Sequence, residues 1–164
     1  MIIFRVTSIF LLIVCCITIF SFSSQDAKRS GELSGGITEV AISVVYPDFP
    51  ELSDVEQEEI IHDASFIIRK LAHFSIFMLL GVFSYMSIVS YRRPQNAYKL
   101  LFSSVFCLLY AISDEVHQLF VSGRSGEVRD VCIDVFGALF GIIVCAILFN
   151  NIKFLIKFTG GKNA

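Results

Sequence analysis

The sequence predicts an all-α membrane protein with four transmembrane helices. Hydrophobic residues make up 55% of the 164 residues, whereas soluble domains contain roughly 45–50%. The mean hydropathy is +0.73. Four apolar runs approach or reach the length of about 20 helical residues that crosses a hydrocarbon core. We therefore predict one membrane domain over 1–164, with spans at about 4–22, 71–91, 99–117 and 131–150 and an external segment at 23–70.

The first apolar run has two interpretations, a transmembrane helix or a cleaved signal peptide. Arg5 supplies the short basic start that either would have. However, the sequence SFSSQ that follows lacks the A-x-A pattern of a cleavage site, and the run is long for a signal peptide. We therefore expect an uncleaved first helix.

The external segment begins with a Ser/Gly-rich stretch at 23–36, which composition predicts to be a loop. Apolar residues then recur at helical spacing from Ile37 to Val45, and Pro47 ends the pattern. This predicts a short amphipathic helix. Its apolar face either lies flat on the outer leaflet or caps the helix bundle, and both interpretations stay open.

A second helix is predicted to begin at Ser53, which forms a capping box with Glu56. No helix breaker separates this start from the second span, so we expect an amphipathic external helix that continues or bends into the membrane. The third span is long enough only if Asp114 and Glu115 lie at or inside the membrane rim.

The charges are distributed unequally between the two ends of the predicted spans. All fifteen acidic residues fall within 26–63 and 114–134, and six of the thirteen basic residues lie on the same side of the predicted spans. The opposite ends carry basic residues only: Arg5, Arg92, Arg93, Lys99, Lys153, Lys157 and Lys162. Basic residues in short loops mark the cytoplasmic side. We therefore predict a multi-pass protein of the cell membrane with both termini in the cytoplasm.

Polar side chains concentrate where three predicted spans meet the external face. Spacings of three and four residues put Asp134 on one helix stripe with Gly137 and Gly141, and such small residues mark a face that packs against another helix. We expect one polar cluster there. Its members are Arg69, Lys70 and His73 on the second span, Asp114, Glu115 and Gln118 on the third, Arg124 in the following turn, and Arg129, Asp130 and Asp134 on the fourth.

An acidic residue inside a membrane needs a partner, because at the bilayer centre it costs about 2.5–3.5 kcal/mol on insertion scales. For Asp134 the available bases are Arg124 and Arg129 nearby and Arg69 and His73 across the bundle. Two interpretations of the cluster stay open: interhelical ion pairs that hold the fold, or a functional site.

If the cluster is a functional site, its residue types suggest two sets of roles. His73 is a candidate general acid or base, with Asp114, Glu115 or Asp134 as its catalytic partner. The ligand-binding candidates are basic residues, which bind phosphate or carboxylate groups, and polar residues that lie beside them. They are Arg69, Lys70, Gln118, Arg124, Arg129 and Asp130. Histidine and carboxylates also suit a divalent metal, but there is no H-E-x-x-H motif, and we assign no cofactor.

Three stretches of the chain, FSSQ, RKLAHFSIFMLLG and SDEVHQLFVSGRSGEVRDVCIDVFGALFG, resemble the VanZ-like family of bacterial integral membrane proteins. The resemblance covers nearly the whole chain, and Phe77 departs from the aromatic hydroxyl of many relatives. It implies four membrane helices and a role in the cell envelope, because the name-giving member is associated with teicoplanin resistance; it implies no mechanism. The residues that it carries over are Ser24, Gln25, Arg69, Lys70, His73, Gly81, Asp114, Glu115, Gln118, Arg124, Asp130, Asp134 and Gly137.

Three functions compete at this point. The first is binding of a lipid-linked wall precursor or a glycopeptide at the external face, in contact with membrane lipids. The second is an intramembrane enzyme that acts on a lipid-linked substrate. The third is a proton-coupled transporter, for which four helices are few unless the chain forms a homo-oligomer. No nucleic-acid partner is expected, because the acidic external segments repel a phosphate backbone.

Overall fold

The structure is a computed structural model that describes residues 2–90 and 96–160, with only the backbone described for 32–33 and 152–160. The basic residues Arg92, Arg93 and Lys162, on which the predicted orientation partly depends, lie outside the described residues. The helices are α1 (Ile2–Ser23), α2 (Ala27–Val45), α3 (Asp54–Val89), α4 (Asn96–Gln118) and α5 (Val128–Gly160), with a 3-10 turn at Phe49–Glu51.

Four helices within the described ranges are long and apolar enough to cross a membrane. They are α1, α3, α4 and the Val128–Asn151 part of α5. The prediction of an all-α fold with four spans is therefore confirmed.

The predicted loop at 23–36 was wrong, because α2 already begins at Ala27. The Asp26 side chain caps this helix by accepting a hydrogen bond from the backbone N–H of Arg29 at 2.7 Å. Thr38 is fully buried and its hydroxyl accepts a bond from Ser65 of α3 at 3.0 Å. A capping residue and tertiary contacts thus overcome the low helix propensity of glycine and serine.

The apolar side chains predicted for the helical part of α2 point away from α3. Ile37 is 61% exposed and Val44 is 77% exposed, while Ser34, Thr38 and Ile42 are buried. This arrangement leaves an apolar surface on α2, as the interpretation of a helix lying on a lipid leaflet requires.

The longest helix, α3, joins the segment outside the predicted span to the span itself without a break. Ser53 and Glu56 form the predicted capping box at its start. Its 36 residues extend about 54 Å at 1.5 Å per residue, well beyond a hydrocarbon core of about 30 Å. The first half of α3 therefore extends beyond the membrane span, and residues 69–73, near the middle of the helix, lie at the end of the bundle.

The bundle is held by apolar packing around α3, which contacts every other helix. Phe77, Leu80 and Ile142 are almost completely buried at its centre. Outside this core, large apolar side chains such as Phe102 and Phe136 are more than half exposed, as expected of a surface that faces lipid.

Candidate functional site

Three helix ends, the middle of α3 and one loop meet at the same end of the bundle. The end of α1 contributes Ser23, and α3 contributes residues 69–73 about midway along its length. The last turns of α4 contribute Asp114–Gln118 and the first turns of α5 contribute Asp130–Asp134. Gly123, with a φ of 74°, allows the loop 119–127 to turn back over these ends.

Asp134 is the most deeply buried member of this set, with 0% of its surface exposed. Its Oδ1 lies 3.4 Å from Nδ1 of His73 on α3. This separation is long for a hydrogen bond. Within the described residues, neither carboxylate oxygen of Asp134 has a hydrogen-bond partner. The Nδ1 atom of His73 has none there either.

Asp114 lies beside this pair and is held by two donors. The Ser23 hydroxyl donates to Oδ2 of Asp114 at 2.8 Å, and the Gln118 side-chain amide donates to the same oxygen at 3.1 Å. One ligating atom from each of His73, Asp114 and Asp134 lies within 4.8 Å of the other two. The structure therefore brings together three residues from three helices that the sequence separates by up to 61 positions.

The loop after α4 is anchored to this cluster at two points. Arg124 donates from Nη1 to the Gln118 side-chain oxygen at 3.1 Å. The backbone N–H of Glu127 donates to Oε1 of Glu115 at 2.9 Å, while the buried Oε2 of Glu115 has no partner in the described chain. Glu115 therefore shapes the loop, and Arg124 is aimed into the site by Gln118.

The outer members of the predicted cluster form ion pairs of their own. The Lys70 ammonium group pairs with Asp130, and both are only about one-fifth exposed. Arg129 reaches Glu127 at 3.1 Å, but this pair is about half exposed. The Arg129 guanidinium also lies 5.3 Å from the ring centroid of Phe66. Lys70 and Asp130 thus close one wall of the site, whereas Arg129 lies outside it.

Two cavities adjoin at the cluster. The first has a volume of about 280 Å³, lies between α1, α2 and α3, and has largely apolar walls that include Ile19, Phe22 and Ile68. The second has a volume of about 240 Å³ and polar walls that include Lys70, Gln118 and Asp130. Arg69, His73 and Arg124 line both cavities. The two cavities are therefore adjacent, and the basic residues Arg69, His73 and Arg124 form their shared boundary.

Two guanidinium groups at this boundary form no ion pair with the side chains that the structure describes. Neither Arg69 nor Arg124 forms an ion pair within 4.0 Å with a side chain that the structure describes. Burial lowers the pKa of Arg124 from its usual value, and the charge of Arg69 acts in the same direction. Two partly buried cations that repel each other favour an anionic group between them.

The family of the chain follows from its sequence match. A model of the VanZ/LLP1 family matches residues 8–150, a range that includes every residue of the polar cluster. The chain belongs to the VanZ/LLP1 family. Among curated proteins and among solved structures, no match was found.

Several residues carried over by the VanZ resemblance lie at this end of the bundle without joining the central cluster. The Ser24 hydroxyl is 3.0 Å from Nε2 of His117, which stacks on Phe20 of α1. Gln25 lines the apolar cavity. Gly81 packs against Ala138, one helix turn or more below the site. These residues connect α1, α3, α4 and α5 around the polar cluster.

The basic partner of Asp134 is the one that lies across the bundle. Of the four bases that sequence left open, His73 is the nearest, while Arg124 and Arg129 bond to Gln118 and Glu127 instead. Ser23 and Glu127 also contribute to the polar cluster, although the sequence did not single them out. A serine at the end of an apolar run and a glutamate in a turn carry no spacing signal that would have found them.

Proposed function

We propose that this protein binds a membrane amphiphile with an anionic headgroup, of the class of the lipid-linked intermediates of the bacterial cell envelope. The observation that carries the proposal is the pair of adjoining cavities with a shared basic boundary. The apolar cavity suits part of a hydrocarbon chain, and the polar cavity suits a phosphate or carboxylate group.

Arg69 and Arg124 are the residues that would hold the headgroup. Guanidinium groups bind phosphate and carboxylate with two parallel hydrogen bonds. Both line each cavity and neither has an acidic partner among the described side chains. A ligand with one anionic group and an apolar tail would therefore satisfy both cavities and both arginines.

The test measures binding of a polyprenyl phosphate and of the matching neutral polyprenol to the purified protein by native mass spectrometry. The wild-type chain should prefer the phosphate. Arg124→Gln should weaken phosphate binding about ten- to hundredfold, since a hydrogen bond to a charged group contributes about 1.5–3 kcal/mol. Polyprenol binding should change little.

Arg129→Gln is the matched control, because Arg129 is exposed and lies outside both cavities. It should bind the phosphate as the wild type does. Equal binding of phosphate and alcohol by the wild type would contradict the proposal, as would equal losses in the two arginine variants.

A glycopeptide with a lipid tail presents the same combination of polar group and apolar chain, so it is the second ligand class. Adding such a glycopeptide during the polyprenyl phosphate measurement separates the two, because only a ligand of the same site would compete. Growth of cells in teicoplanin, with wild type and Arg124→Gln compared, tests the resistance that the family resemblance implies.

A second candidate function, an intramembrane enzyme, is favoured by one observation. His73 lines both cavities and lies 3.4 Å from the buried Asp134, as a general base beside an orienting carboxylate would. Incubation of the polyprenyl phosphate with the protein and analysis of the lipid products distinguishes the two functions. An enzyme would release a changed lipid, and His73→Gln would abolish that change, whereas a binding protein would return the lipid unaltered.

A further inference from the structure

The buried carboxylate of Asp134 is not satisfied by the protein around it. It is 0% exposed, and neither of its oxygens accepts a hydrogen bond from any described residue. Burial of an ionised carboxylate costs several kcal/mol unless a partner compensates. The nearest base, His73, offers an Nδ1 that is itself without a hydrogen-bond partner in the described chain. Two buried polar groups that face each other at 3.4 Å without a hydrogen bond indicate a third group that binds both.

The spacing of these atoms suits a metal ion better than a direct contact. Nδ1 of His73 and Oδ1 of Asp134 are 3.4 Å apart, which is long for a hydrogen bond. Two ligands at about 2.1 Å from a tetrahedral zinc ion are themselves about 3.4 Å apart. The third ligating residue, Asp114, has its oxygen within 4.8 Å of the other two atoms. A small inward movement of Asp114 would complete three sides of a coordination sphere.

The neighbours of Asp114 hold it in the manner of a metal ligand. Ser23 and Gln118 both donate to Oδ2, so neither of them occupies Oδ1. Ligating carboxylates are commonly fixed by such outer hydrogen bonds. The charges also balance, because two carboxylates and a neutral imidazole together match the charge of a divalent cation.

We propose that His73, Asp114 and Asp134 bind one divalent transition-metal ion, with Zn²⁺ as the best match to one nitrogen and two oxygen ligands. His73 lines both cavities, so a fourth coordination position would open towards the anionic headgroup of a bound amphiphile. The proposed metal site depends only on the three ligating residues. It does not require that the protein bind a lipid.

The test titrates Zn²⁺ into the full-length protein in detergent after treatment with EDTA, by calorimetry and without added lipid. The wild type should bind about one ion per chain at a saturable site. Asp134→Asn should weaken this binding by at least tenfold, since even loss of an outer partner costs about 10–100-fold in metal affinity.

Asp63→Asn is the matched control. It makes the same chemical change at a residue of α3 that is 79% exposed and lies outside both cavities, and it should bind Zn²⁺ as the wild type does. Asp134→Asn retains every exposed acidic residue, so equal binding by the wild type and Asp134→Asn would assign the ion to the surface and overturn the proposal. Absence of a saturable site in the wild type would overturn it as well.

A second measurement uses the wild type alone, so it tests the metal site even if Asp134→Asn does not fold. The wild type itself should unfold at a higher temperature with Zn²⁺ than with EDTA, because a ligand that binds only the folded state stabilises it. An unchanged unfolding temperature at saturating Zn²⁺ would overturn the metal site. Because no lipid is present, neither result bears on polyprenyl phosphate binding, which EDTA-treated protein tests separately.

Discussion

At the scale of single residues, the polar end of the bundle depends on a chain of hydrogen bonds that begins at Ser23. Its hydroxyl donates to Asp114, which also accepts from Gln118, and Gln118 in turn accepts from Arg124. Asp114 is only 4% exposed, so water replaces a lost donor poorly. Each link of this chain therefore affects both the stability of the fold and the position of Arg124.

The first prediction concerns the start of this chain. Ser23→Ala should lower the free energy of unfolding by about 1–3 kcal/mol, the cost of leaving a buried acceptor short of a donor. Thermal unfolding of the purified protein in detergent measures the effect. Ser24→Ala is the control, because Ser24 is exposed and its hydroxyl bonds to a carbonyl of its own helix and to His117. Similar losses in both variants would show that the Ser23 bond contributes nothing specific.

The residue-level contacts were only partly predictable. Four-residue spacing placed Asp114 and Gln118 on one face of a helix, and the structure shows their hydrogen bond. The choice of His73 over Arg124 as the neighbour of Asp134 depends on how α3 and α5 are rotated and how close they come. Sequence spacing defines the faces of each helix, but it does not determine the rotation of one helix against another.

At the scale of helices, the contact between α3 and α5 positions the site. Gly137 and Gly141 lie on α5 where a side-chain Cβ would overlap the backbone carbonyls of Phe74 and Met78 on α3. Phe74 follows His73, and Gly137 lies three residues after Asp134. The close approach of the two helices thus sets the separation of His73 and Asp134.

The second prediction follows from this approach. Gly137→Ala should lower the free energy of unfolding by about 1–3 kcal/mol, because the added methyl group must push the two backbones apart. Thermal unfolding in detergent measures the loss. The same variant should also weaken Zn²⁺ binding if the metal site depends on this helix spacing.

Gly35→Ala is the control for that prediction. A Cβ at Gly35 meets no atom within 4 Å, so only helix propensity changes there. This variant should leave stability unchanged or raise it by about 0.5–1 kcal/mol. A loss at Gly35 as large as that at Gly137 would mean that close packing does not explain the effect.

Helix existence was more predictable than helix length. Long apolar runs predicted all four spanning helices because membranes demand them, whatever the tertiary contacts. By contrast, α2 extends through Gly31, Gly35 and Gly36, which composition assigned to a loop. The buried Thr38 and its bond with Ser65 of α3 are tertiary contacts, and local sequence patterns do not report them.

At the scale of the whole molecule, the polar cluster lies at one end of a bundle whose sides expose many large apolar side chains. The helix ends beside the cluster belong to the chain segments that contain all fifteen acidic residues. The helix ends at the other side of the bundle carry basic residues alone, including Arg5 and Lys99. A membrane with a positive-inside preference would therefore place the cluster on the external side.

The third prediction tests this orientation by cysteine labelling. The five native cysteines are all free and Cys132 is exposed, so they are first replaced by alanine. Single cysteines are then introduced at Gly36 on α2 and at Asn96 at the start of α4, both of which are exposed. A membrane-impermeant maleimide added to intact cells should label Gly36→Cys and not Asn96→Cys, while both should be labelled after permeabilisation.

The reverse pattern would place the termini outside and the cluster in the cytoplasm. An envelope ligand would then have to reach the cavities from the cytoplasmic leaflet, so this measurement decides on which side of the membrane a binding partner is to be sought.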